Sequence, residues 1–183
     1  MSPPTTMPPS WLSSFAPAAA GFVLGVLALT AHSHAQRRRP RRRRRVFVSG
    51  CFDLLHSGHV AFFEEAAALG ELHVSVGNDA NVTALKAAPM FPEAERVYMV
   101  GAIRWVSHAF VARGMGHDQG ADLDAVKPDI FFVNHDGDQP SKRQQCAERG
   151  IEYVVAKRAP QAGLHARSST SIKASLAAAK KKG

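Results

Sequence analysis

The sequence predicts a doubly wound α/β domain with a parallel sheet, preceded by an apolar and arginine-rich extension. Short β-branched and aromatic runs alternate with stretches of helical periodicity. The alternation repeats in units of about 25 to 35 residues, the length of a parallel βαβ crossover. Residues bearing chemistry fall just after the strands, where such a sheet collects its ligand.

Taken in order, Val46 to Ser49 forms the first strand, Gly58 to Leu69 a helix and Leu72 to Val76 the second strand. A loop carrying Lys86 follows. A helix then runs from Glu93 to Val106, with Val97, Val100, Ile103 and Trp105 at its apolar positions, before a short strand at Ala109 to Ala112. Gly114-Met115-Gly116 opens a loop ahead of a brief helix around Leu123. Ile130 to Val133 is a strand, Ser141 to Arg149 a helix and Tyr153 to Ala156 a strand. The last helix starts near Ser169 and runs through a row of alanines to Lys180.

Composition divides the chain into an extension (1–45), a main α/β domain (46–179) and a short basic tail (180–183). The net charge of +8 suggests a nucleic-acid partner, but eight arginines, Arg37 to Arg39 and Arg41 to Arg45, form one tract without acids. Beyond it stand 15 of the 23 Lys and Arg against all 15 Asp and Glu, so the domain is neutral. The tract has no interleaved aromatics for base stacking, which disfavours nucleic acid. Cys51 and Cys146 are too few for a disulfide framework and lack metal-ligand spacing. Cys51 fits as a small residue packed in a turn.

Trp11 to Ala31 runs 21 residues without a charge, long enough to cross a bilayer, although Pro17, Gly21 and Gly25 weaken it. Three readings compete. It is a signal anchor with the arginines on the cytosolic side, a segment cleaved near Ser33-His34-Ala35, or an unstructured extension. The arginines directly after it favour an anchor through residues 11–31 with the domain in the cytosol, and processing would leave it cytoplasmic or organellar.

Gly50-Cys51-Phe52-Asp53-Leu54-Leu55-His56-Ser57-Gly58-His59 follows the first strand and opens the first helix. A helix N-terminus offers unpaired N–H groups and a positive dipole end, and His56 and His59 add donors beside it. Gly58 lets backbone approach closely between them. Near the C-terminus, Arg167-Ser168-Ser169-Thr170-Ser171 precedes the last helix. Its hydroxyls can cap that helix and also donate to phosphate.

Together these segments resemble the cytidylyltransferase-like nucleotidyltransferases, whose signatures are Gly-x-Phe-Asp with His-x-Gly-His and a closing Ile-Ser-Thr-Thr. The resemblance spans Val46 to Leu176. It implies a Rossmann-like nucleotidyltransferase fold, a nucleoside triphosphate and a phosphorylated small molecule as partners, and Mg²⁺ with the triphosphate. It implies His56, His59 and Lys86 as catalytic groups, with Gly50, Cys51, Phe52, Asp53, Gly58, Ser169 and Thr170 around the nucleotide.

In similar proteins an arginine at the place of Arg96 anchors the loop or the nucleotide. An ordinary helix-start pair Glu95-Arg96 is the alternative. Asp79 and Asp136, at strand ends, either bond ribose, base or a water on Mg²⁺, or cap the next helix. Ala166-Arg167 stands where the family has Gly-Ile, so Arg158 or Arg167 supplies the phosphate contact.

The turn and closing segment are closest to cytidylyltransferases acting on glycerol phosphate or phosphoethanolamine. The expected reaction is therefore CMP transfer from CTP to a small phosphorylated alcohol or sugar. Asn134-His135 replaces a more usual glycine in the loop that lines the base, which keeps ATP with an FMN-like or sugar-phosphate acceptor as an alternative. A membrane-tethered nucleotide binder without turnover is the rival of another class. The reading also allows a homodimer.

Overall fold

The computed structural model describes residues 42–156, 160 and 162–180. Five strands, β1 (Arg45–Gly50), β2 (Glu71–Val76), β3 (His108–Val111), β4 (Ile130–Asn134) and β5 (Glu152–Ala156), form one parallel sheet in the order β3-β2-β1-β4-β5. The helices are α1 (Ser57–Ala67), α2 (Asp79–Leu85), α3 (Glu93–Gly101), α4 (Gly120–Val126), α5 (Pro140–Ala147) and α6 (Ser169–Lys180). A short 3₁₀ turn, His135–Gly137, follows β4. The predicted parallel α/β architecture is the observed one.

The central strand is buried on both faces, as the unbroken apolar run Val46-Phe47-Val48 requires of a parallel sheet. Alternation sends Val46 and Val48 into one layer, with Leu72, Val74, Ile130 and Phe132 under Phe62, Phe63 and Ala66 of α1. Phe47 enters the other, with Phe131, Val133, Leu123 and Cys146. Phe47 and Phe131 meet edge to face at 4.9 Å.

Three boundaries differ from expectation. The loop carrying Lys86 contains α2, whose N-cap Asn78 accepts from the Asn81 N–H at 2.7 Å. Among its side chains only Asn81 and Val82 are buried, too few for an apolar period. Lys86 is the C-cap of that helix. The helix expected to reach Val106 stops at Gly101, where the Ala102 N–H donates to the Tyr98 carbonyl and the Ile103 N–H to the Val100 carbonyl.

The sheet also begins inside the arginine tract. The Arg45 N–H donates to Asp129 Oδ2 at 2.7 Å and its guanidinium to the Val126 carbonyl at 2.9 Å. Arg44 pairs with Glu152. The last two arginines therefore belong to the domain, and the chain divides after Arg42. The apolar segment 11–31 and Arg37 to Arg41 lie outside the described residues, as do Lys181 and Lys182. Among the described residues no helix is long and apolar enough to cross a membrane.

Gly70, between α1 and β2, is required by close approach. A Cβ there would sit 2.1 Å from the Arg44 carbonyl oxygen, which accepts the Glu71 N–H at 2.8 Å. Gly70→Ala is expected to cost about 1–3 kcal/mol of stability, read as a lower urea midpoint.

Candidate active site

The carboxyl ends of the strands surround a cleft of about 470 Å³. Its floor is the turn after β1. A Cβ at Gly50 would lie 2.8 Å from Phe52 Cζ, so only glycine lets that ring fold back. Phe52 holds a left-handed φ of 49°, uncommon for a bulky residue. Its buried ring packs at 5.0 Å from Phe63 and 5.4 Å from His59. Phe52 thus anchors the turn in the core while its neighbours line the cleft.

The two histidines come together. His56 is the N-cap of α1, with Nδ1 accepting the Gly58 N–H at 3.1 Å. In the neutral ring this places the proton on Nε2, making that atom a donor. The His59 ring stacks on it at 4.0 Å. His56 thus caps the helix and also borders the cleft. A Cβ on Gly58 would meet His56 Cε1 at 3.0 Å and the Arg167 carbonyl oxygen at 3.4 Å. The bare backbone at 58 therefore admits both the imidazole and the segment leading into α6.

Lys86, Asp136, Ser169 and Thr170 line the same cleft. Ser168 Oγ accepts the Ser171 N–H at 3.1 Å, as an N-cap does. The Ser169 hydroxyl donates to the Leu54 carbonyl at 3.3 Å, tying α6 to the first turn.

Four expected nucleotide contacts are placed differently. Asp53 borders the cleft, but Oδ1 accepts the N–H groups of Met90 at 2.7 Å and Phe91 at 3.1 Å. Its Oδ2 lies 2.6 Å from Lys173 Nζ. Burial raises the Asp53 pKa, but the Lys173 hydrogen bond and the Phe91 and Met90 N–H groups outweigh it and hold the carboxyl below its usual range. Asp53 is a tie between three segments.

Arg96 is fully buried. It donates to the Phe91 carbonyl at 2.9 Å, the Cys51 carbonyl at 2.6 Å and Asp79 Oδ1 at 2.6 Å. Neither Arg96 nor Asp79 borders the cleft; Arg96 ties together the segments that carry Phe91, Cys51 and Asp79. Arg167 lines an adjoining cavity of about 350 Å³ with Phe62 and Leu164. Arg158 lies outside the described residues.

Sequence reasoning missed Lys142. Its side chain is 7 % exposed, borders the cleft, and donates to the Gly137 carbonyl at 3.0 Å. Burial pushes its pKa below the ordinary lysine value, against the opposing pull of Asp138, Cys51 and Asp136. A signal was available: Lys142 stands in the first turn of α5, just after Pro140, where the helix dipole disfavours a cation. Cys146 is buried with its thiol pushed up to about 11, an inert packing residue.

Fixed donors and the side chains of Lys86, Lys142 and Lys173 thus gather at the carboxyl ends of a parallel sheet, around a helix N-terminus. This suits phosphate chemistry that proceeds by positioning and charge stabilisation, without a covalent intermediate. Fold and site define a nucleotidyltransferase. The chain belongs to the cytidylyltransferase-like family, whose model matches residues 47–175.

Among its relatives is the FAD synthase of Methanopyrus kandleri, 42% identical over 120 residues, which cover 62% of this chain and 79% of that protein. The FAD synthase of Halalkalicoccus jeotgali is 36% identical over 122 residues, covering 64% and 82% respectively. A solved structure, the lipopolysaccharide core biosynthesis protein from Thermoplasma volcanium, superposes with a TM-score of 0.55 at 28% identity, over 62% of this chain and 93% of that one.

Proposed function

We propose that this nucleotidyltransferase is an adenylyltransferase that joins AMP from ATP to FMN, forming FAD and pyrophosphate. The observation that carries the reading is the identity of 36 to 42% to FAD synthases over most of their length. Asn134, the last residue of β4, borders the cleft where the sequence departs from the family's more usual glycine, which fits a base other than cytosine. The CTP preference drawn from the Gly-Cys-Phe-Asp turn gives way to ATP.

In this reaction an FMN phosphate oxygen attacks the α-phosphorus of ATP. The bond from that phosphorus to the bridging oxygen breaks, and pyrophosphate leaves with its electron pair. The N-terminus of α1 and His56 Nε2–H offer donors to the phosphates, with His59 stacked beside them. Lys86 and Lys142 add positive charge where negative charge accumulates. The Asp53–Lys173 pair holds the surrounding segments in place.

Mg²⁺ fits this site as a companion of the triphosphate, because it dehydrates reluctantly and is held largely by phosphate oxygens and water. Of the two carboxylates that border the cleft among the described residues, Asp53 is consumed by Lys173 and two N–H groups. Asp136, exposed at the rim of the cleft, is the carboxylate that would hold the ion. When bound, the ion neutralises charge on the phosphates.

Pyrophosphate release from the full chain, measured with four triphosphates against FMN, glycerol 3-phosphate and a sugar phosphate, tests the assignment. ATP with FMN is expected to be preferred, with FAD recovered as product. Preference for CTP with glycerol 3-phosphate restores the cytidylyl reading.

A further inference from the structure

We propose that Glu71, His73 and His108 hold a divalent transition-metal ion at the amino-terminal end of the sheet, away from the nucleotide cleft. Parallel pairing of β2 with β3 sets His73 beside His108, and the two-residue period puts Glu71 on the same face. One ligand atom from each residue lies within 4.8 Å of the others. Glu71 Oε1 is 3.3 Å from His108 Nε2 and 3.8 Å from His73 Nε2. Two ligands each about 2.1 Å from a tetrahedral zinc ion stand about 3.4 Å apart, so small side-chain shifts close this set on one ion.

A merely solvated cluster would satisfy its polar atoms, and this one does not. His73 Nε2 is shut away from water and has no hydrogen-bond partner. A buried nitrogen left so is unfavourable, and coordination supplies the missing partner.

The two rings stack at 4.7 Å with 27° between planes. Rotation of His108, 61 % exposed on the edge strand, brings both nitrogens to bear. The nearby Arg45 guanidinium is turned to the Val126 carbonyl.

Two imidazoles and one carboxylate suit zinc and its first-row neighbours rather than Mg²⁺ or Ca²⁺. The exposed side leaves a coordination position for water. Glu71 to Val76 spans about 16 Å of strand, so the ion stands clear of the phosphates. It would pin edge strand β3 to β2.

The test uses the full chain, stripped with a chelator and titrated with Zn²⁺ or Co²⁺. One equivalent is expected to bind, with a visible Co²⁺ spectrum and a Zn²⁺-dependent rise in Tm. Glu71→Gln and His108→Asn, both at partly exposed positions and checked for folding by circular dichroism, are each expected to weaken binding at least about tenfold. They should also abolish the rise in Tm while leaving nucleotidyl transfer unchanged. Equal binding by both variants and the parent overturns the proposal. So does binding lost in His56→Asn but retained in His108→Asn, which would place the ion at the cleft histidines.

Discussion

His59→Ala and His56→Ala each lower turnover at least about a hundredfold while the domain stays folded. Fixed donors aimed at developing phosphate charge supply several kcal/mol of transition-state stabilisation, and removing one commonly costs about 10²–10³ in rate. The two rings differ in what else they do. His59 stacks on His56 and packs against Phe52, whereas His56 also caps α1 through Nδ1. Losing a cap costs about 1 kcal/mol, so His56→Ala also lowers stability. His56→Asn keeps a capping side chain and removes the imidazole, which separates the two roles. Steady-state kinetics beside urea melts read both quantities. Near-normal turnover in a well-folded His59→Ala protein would sink the catalytic assignment.

Arg96→Met produces the largest loss of stability, about 3–5 kcal/mol. The guanidinium is fully buried and donates to two carbonyls and a carboxylate on three different segments. A methionine fills some of the volume but leaves the Cys51 and Phe91 carbonyls without their donor. Arg96→Lys should rescue little, because one ammonium cannot reproduce a rigid fork across three acceptors. A fall in the urea midpoint with unchanged m-value is the expected reading. A midpoint within error of the parent would show that the three contacts are dispensable.

The architecture was legible because parallel strands buried on both faces are unbroken apolar runs, as Val46-Phe47-Val48 and Ile130-Phe131-Phe132 show. α2 was not, because its apolar face is little more than Val82. Within the cleft, His56, His59 and Gly58 were readable from their spacing, since helix geometry alone brings them together. The partners of Asp53 and Arg96 were not. Each is fixed by residues distant in sequence, Lys173 for one and Cys51 for the other. The arginine tract misled at its end because a charge run looks uniform, whereas Arg44 and Arg45 find partners on β5 and around β4.

The strand order has a consequence in time. β1 pairs with β2 from Arg45↔Glu71 onward, and β2 with β3, so one half of the sheet is built from neighbours in sequence. β1 meets β4 only through Val46↔Ile130 and Phe47↔Phe131, which closes a long loop. Closing such a loop costs chain entropy before any contact repays it. During synthesis the first half can gather, with the paired histidines and Lys86, while the ribosome still holds the second. Lys142, Asp136 and the α6 hydroxyls arrive with that second half. A nascent chain at that stage has an exposed β1 edge and part of the cleft lining, and the cleft is complete only when β4 docks.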